Sequence, residues 1–189
     1  TTAINNTAVG NNALKANTTG TSNVSVGAFS MLDNTTGGQN TSLGESALGN
    51  NTTASNNTAI GKNALVQNTT GSENIGIGTF ALDANTTASN NTGVGYNALT
   101  ANTTGTRNSA LGASSLRDNV TGNDNTAVGY FSLLSSTGTR NTMVGAFSAY
   151  QTTGGSNTGI GYAVMQSTQN ASNNTGMGDS ALTTNTTGG

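Results

Sequence analysis

The sequence contains no cysteine, histidine, proline or tryptophan, and charged residues make up only 6% of it. Ordinary soluble domains are about 25% charged. Without cysteine there is no disulfide framework and no thiolate ligand, and without histidine the commonest general base and metal ligand is missing. No apolar stretch approaches the roughly 20 residues that a membrane-spanning helix needs. We therefore expect no membrane insertion by this segment.

The few charges are too dispersed to form a binding or catalytic site. The formal net charge is −2, and the five basic residues are scattered, whereas nucleic-acid binding requires a concentrated basic face. The seven acidic residues do not converge as calcium ligands do. No serine or threonine recurs beside a basic partner that would activate it. We predict no nucleic-acid partner, no metal, no cofactor, no catalytic residue and no enzyme activity.

What the sequence does contain is a strict repeat, with the consensus N-T-[AGS]-[VIL]-G-x-x-[AS]-L-x-x-N-T-T-[GA]-x-x. Most units have 17 residues and two have 16. The units start at Asn6, Asn23, Asn40, Asn57, Asn74, Asn91, Asn108, Asn125, Asn141, Asn157 and Asn174. Residues 1–189 show no linker or change of composition, so we predict one repeat domain. Because the sequence starts and ends within a unit, we expect a segment excised from a longer chain.

The unit is too short for helical repeats, which need about 33 residues, and it suits two short strands joined by turns. We therefore predict an all-β fold, a parallel β-solenoid or β-roll of about eleven 17-residue coils. The fifth position is always glycine, and we expect it to adopt a φ that residues with a Cβ resist. These glycines are Gly10, Gly27, Gly44, Gly61, Gly78, Gly95, Gly112, Gly129, Gly145, Gly161 and Gly178.

The alternation of side chains along a strand predicts which positions face inward. The fourth position is always aliphatic or Met, so we expect the second and fourth positions to face the core. Leu or Met at the ninth position would form the opposite wall. Ala149 is the exception there, with Tyr150 beside it to fill the gap. The third position is small except for Met143, which indicates close packing against a partner chain or, alternatively, the second wall of a flattened coil.

Stacking identical units places each asparagine on the next one. We expect the first-position asparagines, from Asn6 to Asn174, to form a ladder of side-chain amide hydrogen bonds, as in stacked cross-β assemblies. A second asparagine column lies at the twelfth position. It is interrupted in both 16-residue units, which start at Asn125 and Asn141, so the shortening falls in a turn.

Several motifs carry a family resemblance: N-T-A-V-G at 6–10 and 125–129, N-T-A-I-G at 57–61, N-T-G-V-G at 91–95 and N-T-G-I-G at 157–161. They resemble the S-V-A-I-G repeats in the head domains of trimeric autotransporter adhesins. The longer unit, with N-A-L and N-T-T-G, also resembles repeat regions of bacteriophage and bacterial tail fibres. The resemblance covers essentially the whole chain and implies a left-handed, homotrimeric β-roll in a surface-displayed fibre. The 17-residue spacing is longer than that of the adhesin heads.

Seven of the eight aromatic residues lie at the sixth and seventh positions, just after the glycine bend. They are Phe29, Phe80, Phe131, Phe147, Tyr96, Tyr130 and Tyr162. One interpretation is a row of platforms for a cell-surface glycan or a protein receptor. The other is that these rings cover a corner of the coil or fill an interface between chains.

From the repeat and the resemblance we expect an extracellular structural or adhesive fibre segment, an adhesin head or tail-fibre shaft. It would lie at the cell surface or on a virion and assemble as a homo-oligomer, either a trimer or a filament. One alternative is a subunit of a self-polymerising extracellular filament. Another is an ice-binding β-solenoid, although the N-T-T threonines lie in a predicted turn and adjacent strand residues point to opposite faces.

Overall fold

The computed structural model describes residues 2–186, so Thr1 and residues 187–189, the two ends of the predicted domain, lie outside it. The described residues form fourteen strands and no helix. Eleven strands have three residues each: β1 (Thr7–Val9), β2 (Val24–Val26), β3 (Thr41–Leu43), β4 (Thr58–Ile60), β5 (Ile75–Ile77), β6 (Thr92–Val94), β7 (Ser109–Leu111), β8 (Thr126–Val128), β10 (Thr142–Val144), β12 (Thr158–Ile160) and β14 (Thr175–Met177). Three have two residues each: β9 (Ser135–Ser136), β11 (Gln151–Thr152) and β13 (Ser167–Thr168).

The three-residue strands form one parallel sheet in chain order, with each unit contributing one strand. The register advances by one unit at each step: Thr7 lies opposite Val24, and Val24 lies opposite Thr41. The two 16-residue units keep the same register, because Thr126 lies opposite Thr142 and Thr142 opposite Thr158. The predicted all-β parallel β-solenoid is confirmed.

Backbone hydrogen bonds join neighbouring coils well beyond these short strands. The N–H of Leu14 donates to the carbonyl oxygen of Ser30 (3.0 Å), on the wall opposite the sheet. At the next turn the N–H of Thr18 donates to the carbonyl oxygen of Thr35 (2.9 Å). Turn residues therefore also form backbone hydrogen bonds with the next coil. This satisfies buried N–H and C=O groups, which would be costly to leave unpaired.

Left-handed backbone conformations recur at fixed positions of the unit. The fifth-position glycines have φ between 117° and 143°, as predicted from their lack of a Cβ. A Cβ on Gly95 would lie 2.5 Å from the carbonyl oxygen of Gly112 in the next coil. The seventh, ninth and seventeenth positions also have positive φ although none of them is glycine; Leu99, for example, has φ 53°. Leu99 is fully buried, so packing offsets the strain of this conformation.

The prediction of which strand face is buried was wrong. The third position lies inside the coil: Ala59, Ala110 and Ala127 are at most 1% exposed. The second and fourth positions point outward, and Val9 and Leu111 are 58% and 53% exposed. The ninth-position leucines and methionines fill the interior, as predicted for the opposite wall.

The small third position is explained by the thinness of the coil. A Cβ added to Gly76 would lie 3.2 Å from Cγ of Leu65, and one added to Gly93 would lie 3.3 Å from Cγ of Leu82. The ninth-position side chain of the preceding coil therefore already occupies this space. The column of small residues is the second wall of a flattened coil, and no partner chain is needed to explain it.

One coil exchanges large and small residues between its two walls. In the unit that starts at Asn141, the third position is Met143 and the ninth is Ala149, and both are fully buried in the same core cluster. Met143 therefore supplies the volume that a leucine supplies elsewhere. The expectation that Tyr150 fills this gap was wrong, because Tyr150 is only partly buried and contacts the ring of Phe131.

The predicted second strand at the Ala-Leu pair is also absent from the described residues. These residues form turns, because the ninth position has positive φ. A second, three-stranded parallel sheet does form, but from β9, β11 and β13, at the eleventh and twelfth positions of the unit. It occurs where Ser136, Thr152 and Thr168 replace the twelfth-position asparagine.

The first-position asparagines connect coils mainly through the backbone. The N–H of Asn40 donates to Oδ1 of Asn23 (3.0 Å), and Nδ2 of Asn40 donates to the carbonyl oxygen of Ala54 across its own coil (2.9 Å). The same pair recurs in the next coil, where the N–H of Asn57 donates to Oδ1 of Asn40 (2.9 Å). Each asparagine side chain thus bonds across its own coil through Nδ2 and to the backbone of the next coil through Oδ1.

The expected amide bonds between first-position side chains occur at some steps, for example from Nδ2 of Asn108 to Oδ1 of Asn91 (3.2 Å). A continuous amide ladder lies at the twelfth position. Nδ2 of Asn51 donates to Oδ1 of Asn34 (2.7 Å), and Nδ2 of Asn68 donates to Oδ1 of Asn51 (3.1 Å). The ladder ends at Asn119, because the next residue in the column is Ser136. Oδ1 of Asn119 and Oγ of Ser136 are buried without a hydrogen-bond partner among the described residues.

Candidate functional site

The widest candidate surface is the outer face, formed by the second and fourth positions of the eleven three-residue strands. Its fourth-position column is aliphatic or Met throughout: Val9, Val26, Leu43, Ile60, Ile77, Val94, Leu111, Val128, Val144, Ile160 and Met177. Its second-position column is threonine in eight strands, and Val24, Ile75 and Ser109 occupy the rest. Neither column contains a charged residue.

Much of this face is open to solvent in the single chain. Leu43 is 48% exposed, Val144 is 36% and Ile160 is 41%. Scattered exposed apolar residues are normal on a protein surface, but a continuous apolar column marks an interaction surface. Because the coil interior already holds the ninth-position side chains, the fourth-position column cannot be explained as part of the core.

A second candidate surface lies at the sixth position, one residue past the glycine bend. Three of the predicted aromatic residues, Tyr96, Tyr130 and Tyr162, occupy this position and are 56%, 48% and 56% exposed. We call these three residues the tyrosine row. Ala113 and Ala146 occupy the same position in the intervening coils, so a tyrosine recurs in every second coil.

The structure brings most of the predicted aromatic residues together. Tyr130, Phe131 and Phe147 form three mutual ring contacts with centroid separations of 4.0, 5.5 and 5.8 Å. Tyr162 packs on Phe147 (5.8 Å), and Tyr150 packs on Phe131 (6.5 Å). This cluster spans three consecutive coils. Tyr150, which was not among the predicted site residues, joins it from the tenth position.

The remaining aromatic residues lie outside that cluster. Phe80 and Tyr96 form a separate edge-to-face pair at 6.4 Å. Phe29 is 40% exposed and takes part in none of the ring contacts found among the described residues. The seven predicted aromatics therefore divide into a cluster, a pair and one isolated ring.

Charged side chains form exposed ion pairs, two of which bridge adjacent coils. Lys62 pairs with Glu45 at 2.9 Å, and Arg107 pairs with Asp124 at 2.6 Å. Pairs of this kind contribute little stability because solvent screens them. Among the described residues, no group of three acidic, cysteine or histidine side chains could hold a metal ion.

The third ion pair lies within one coil and reaches the next. Nε of Arg117 donates to Asp118 at 2.8 Å, and Oγ of Ser135 donates to the same carboxylate at 2.7 Å. The hydrogen bond from Arg117, together with that from Ser135, lowers the pKa of Asp118. Elsewhere, burial raises the pKa of Asp83.

The N-T-T threonines use one of their two hydroxyls for structure. Oγ1 of Thr35 donates to the carbonyl oxygen of Thr52 (3.0 Å), and Oγ1 of Thr52 donates to that of Thr69 (3.1 Å). The following threonines, such as Thr36 and Thr53, are exposed. The hydroxyl of the first threonine in each pair is therefore used in a hydrogen bond between coils. It is not free to bind a ligand or ice.

Comparisons with known proteins give no match: no protein-family model, no curated protein and no solved structure is similar to this chain. Across residues 2–186 there is also no helix of the length and apolarity needed to span a membrane.

Proposed function

We propose that this chain is a structural and adhesive segment of an extracellular fibre, an adhesin head or tail-fibre shaft, whose copies associate side by side through the outer face. The observation that carries the proposal is the uncharged, aliphatic fourth-position column, which runs without interruption from Val9 to Met177. No other described part of the surface is apolar over the whole length of the solenoid. The fibre would be displayed at a cell surface or on a virion.

The apolar outer face favours a second copy of the chain as its partner. Identical chains placed in parallel would meet with the same column in every coil, so burial would accumulate over eleven strands. Burying exposed apolar surface stabilises association by about 25 cal/mol per Å² before the costs of binding. The resemblance to adhesin heads favours a left-handed trimer with the fourth-position columns around its axis.

The proposal is tested by measuring the molar mass of the protein with light scattering after size-exclusion chromatography. We expect a discrete trimer. Leu111→Glu places a charge in the middle of the outer face, and we expect it to yield monomers because a buried unpaired charge is costly. Thr104→Glu, at an exposed position of the N-T-T turn, is the matched control and should leave the trimer intact.

Two results would contradict the side-by-side trimer. A monomeric wild type would leave the outer face without the proposed partner. Open-ended growth with concentration, unaffected by Leu111→Glu, would favour the alternative of a self-polymerising filament joined end to end.

Ice binding is a second candidate function, favoured by the second-position column of the outer face. Thr41, Thr58 and Thr92 point outward from a regular sheet, and each is two residues from an aliphatic side chain on the same face. Where threonines occupy consecutive coils, as at Thr41 and Thr58, hydroxyl and methyl groups therefore repeat about every 4.8 Å along the axis. These threonines lie on strands, unlike the N-T-T threonines on which the sequence-based alternative rested.

Thermal hysteresis distinguishes this candidate from the fibre. A monomer that depresses the freezing point without changing the melting point, and loses this activity in Thr92→Leu, would support ice binding. A trimer without thermal hysteresis would exclude it.

A further inference from the structure

We propose that the tyrosine row of Tyr96, Tyr130 and Tyr162 binds an extended β-linked polysaccharide of the cellulose or chitin type, with alternate sugar rings stacked on successive tyrosines. The inference rests on the attachment role proposed above and names the chemical class of its ligand. Its evidence is the register, the spacing and the support of the three rings.

The three tyrosines lie in one hydrogen-bonded column of the solenoid. The sixth-position carbonyl of each coil accepts a hydrogen bond from the seventh-position N–H of the next. The carbonyl of Tyr96 accepts from Ser114 (2.8 Å), that of Tyr130 accepts from Phe147 (2.9 Å), and that of Tyr162 accepts from Ser180 (2.9 Å). The intervening coils keep the pattern, since the carbonyl of Ala113 accepts from Phe131 (3.1 Å). The backbone therefore places the tyrosines in one continuous column along the solenoid.

Their spacing is set by the distance between coils. Two coils separate Tyr96 from Tyr130 and Tyr130 from Tyr162, which places the backbones of successive tyrosines about 9.5 Å apart. This is close to the disaccharide repeat of an extended β-linked glucan or chitin chain. In such chains each sugar is flipped relative to its neighbours, so every second ring presents the same face. Ala113 and Ala146 leave room for the sugars in between.

Phenylalanines hold the tyrosine rings in place. Phe80 contacts Tyr96 edge to face at 6.4 Å, and Phe147 contacts both Tyr130 (5.5 Å) and Tyr162 (5.8 Å). Every member of the row therefore packs on a seventh-position phenylalanine. This support reduces the side-chain entropy that binding would otherwise remove, which favours a preorganised platform.

Stacking of sugars on aromatic rings has a simple physical cause. The axial C–H groups of a β-linked hexose form an apolar face with partial positive charge, and the face of an aromatic ring is negative. The sixth position carries only tyrosine and alanine from Tyr96 to Tyr162, so no charge competes for solvation there. A row of three platforms lets individually weak contacts add.

The test is a depletion binding isotherm with insoluble cellulose and, separately, insoluble chitin, using the intact protein. We expect binding to at least one of them and none to amylose, the α-linked isomer of cellulose, whose chain curls away from a straight row. Which polymer binds identifies the preferred sugar.

Variants assign the binding to the row. Tyr130→Ala leaves no two tyrosines on successive platforms, so we expect affinity to fall by about tenfold or more. Tyr96→Ala and Tyr162→Ala each leave one successive pair and should cause smaller losses. Tyr130→Phe keeps the ring and should retain most of the binding. Phe29→Ala removes an exposed ring outside the row and is the matched control.

Several results would overturn the inference: no binding to either β-linked polymer, equal binding to amylose, or unchanged binding by Tyr130→Ala. A change in the molar mass of Tyr130→Ala would assign the ring to an interface between chains and would also overturn it. Wild-type trimers that bind neither polymer would refute the glycan site while leaving the fibre proposal standing.

Discussion

The coils that start at Asn40, Asn57, Asn74 and Asn91 differ from those that start at Asn125, Asn141 and Asn157 in how they are tied together. The first group is joined by the twelfth-position amide ladder, in which Nδ2 of Asn85 donates to Oδ1 of Asn68 at 2.8 Å. The second group lacks that asparagine and pairs β9, β11 and β13 in a small backbone sheet. The same solenoid therefore tolerates two kinds of bond at one corner.

The second group also concentrates the unusual side chains. It contains the exchanged Met143 and Ala149 pair and the cluster around Phe131 and Phe147. Side-chain packing there is specific to single coils, whereas the ladder of the first group repeats from coil to coil. The repeated amide ladder and the coil-specific packing thus occupy different parts of the solenoid. Substitutions in the two parts should therefore have different effects on stability.

The largest effect is expected from breaking the ladder. Asn68→Ala removes a donor to Oδ1 of Asn51 (3.1 Å) and to the carbonyl of Gly71 (2.9 Å), and it removes one of the two acceptors of Nδ2 of Asn85, which keeps the carbonyl oxygen of Ala88. We expect a loss of about 2–4 kcal/mol in unfolding free energy because three hydrogen bonds are lost and the buried Oδ1 of Asn51 remains unpaired. Urea denaturation at one fixed protein concentration measures it. The exposed Thr70→Ala should change stability by less than about 0.5 kcal/mol; equal effects in the two variants would refute the ladder's role.

The exchanged pair should behave as a coupled unit. Met143→Ala leaves a cavity and is expected to cost about 2–3 kcal/mol, while Ala149→Leu overpacks the coil and costs about 1–3 kcal/mol. The double variant restores the consensus volumes and should recover most of both losses. A double-mutant cycle in urea measures a coupling of about 1 kcal/mol or more. Additive losses would show that Met143 does not fill the space left by Ala149.

Extending the amide ladder by one residue should raise the stability of the protein. Ser136→Asn supplies a donor for the unpaired Oδ1 of Asn119 and replaces the unpaired Oγ of Ser136. We expect a gain of about 1 kcal/mol, measured as an increase in the denaturation midpoint. Thr137→Asn, at an exposed neighbouring position, should give no gain. A loss in Ser136→Asn would mean that the shortened turn has no room for the amide.

The smallest effect is expected from the carboxylate of Asp118, which bonds to Arg117 in its own coil and to Ser135 in the next coil. The pKa of Asp118 is lowered by hydrogen bonds from Arg117 and Ser135, so this carboxylate stabilises the fold above its ordinary pKa. That contribution is lost as the pH falls through the lowered pKa of the folded state. Because the side chain is 40% exposed, we expect less than about 1 kcal/mol. Denaturation midpoints between neutral and acidic pH should differ less in Asp118→Asn than in wild type; an identical pH dependence would contradict the prediction.

The repeat alone predicted the solenoid, the parallel stacking and the special backbone of the fifth-position glycine. These follow from a period that forces identical residues onto one another. It did not predict the buried strand face, because hydrophobicity marks both the coil interior and the outer face. The signal that distinguishes them is volume: Met143 stands in a column of small residues in the coil where Ala149 replaces leucine. Exchange between two positions of one unit indicates that both face the same interior.

The tyrosine row was predicted in part. Fixed spacing placed Tyr96, Tyr130 and Tyr162 at one position of the unit, and hence in one column. Their support by Phe80 and Phe147 was not predicted, because ring contacts between coils depend on side-chain rotamers as well as on register. The participation of Tyr150 was missed because it lies three positions away along the unit, although its coil folds it back against Phe131.

Each coil bonds only to the coil before it and the coil after it. The duplication or loss of one whole unit would therefore lengthen or shorten the molecule by about 4.8 Å without removing any type of contact. If the chain forms the fibre proposed above, the length of that fibre would change in steps of one unit. Under that proposal, the length of the fibre could vary without any change in the tyrosine row.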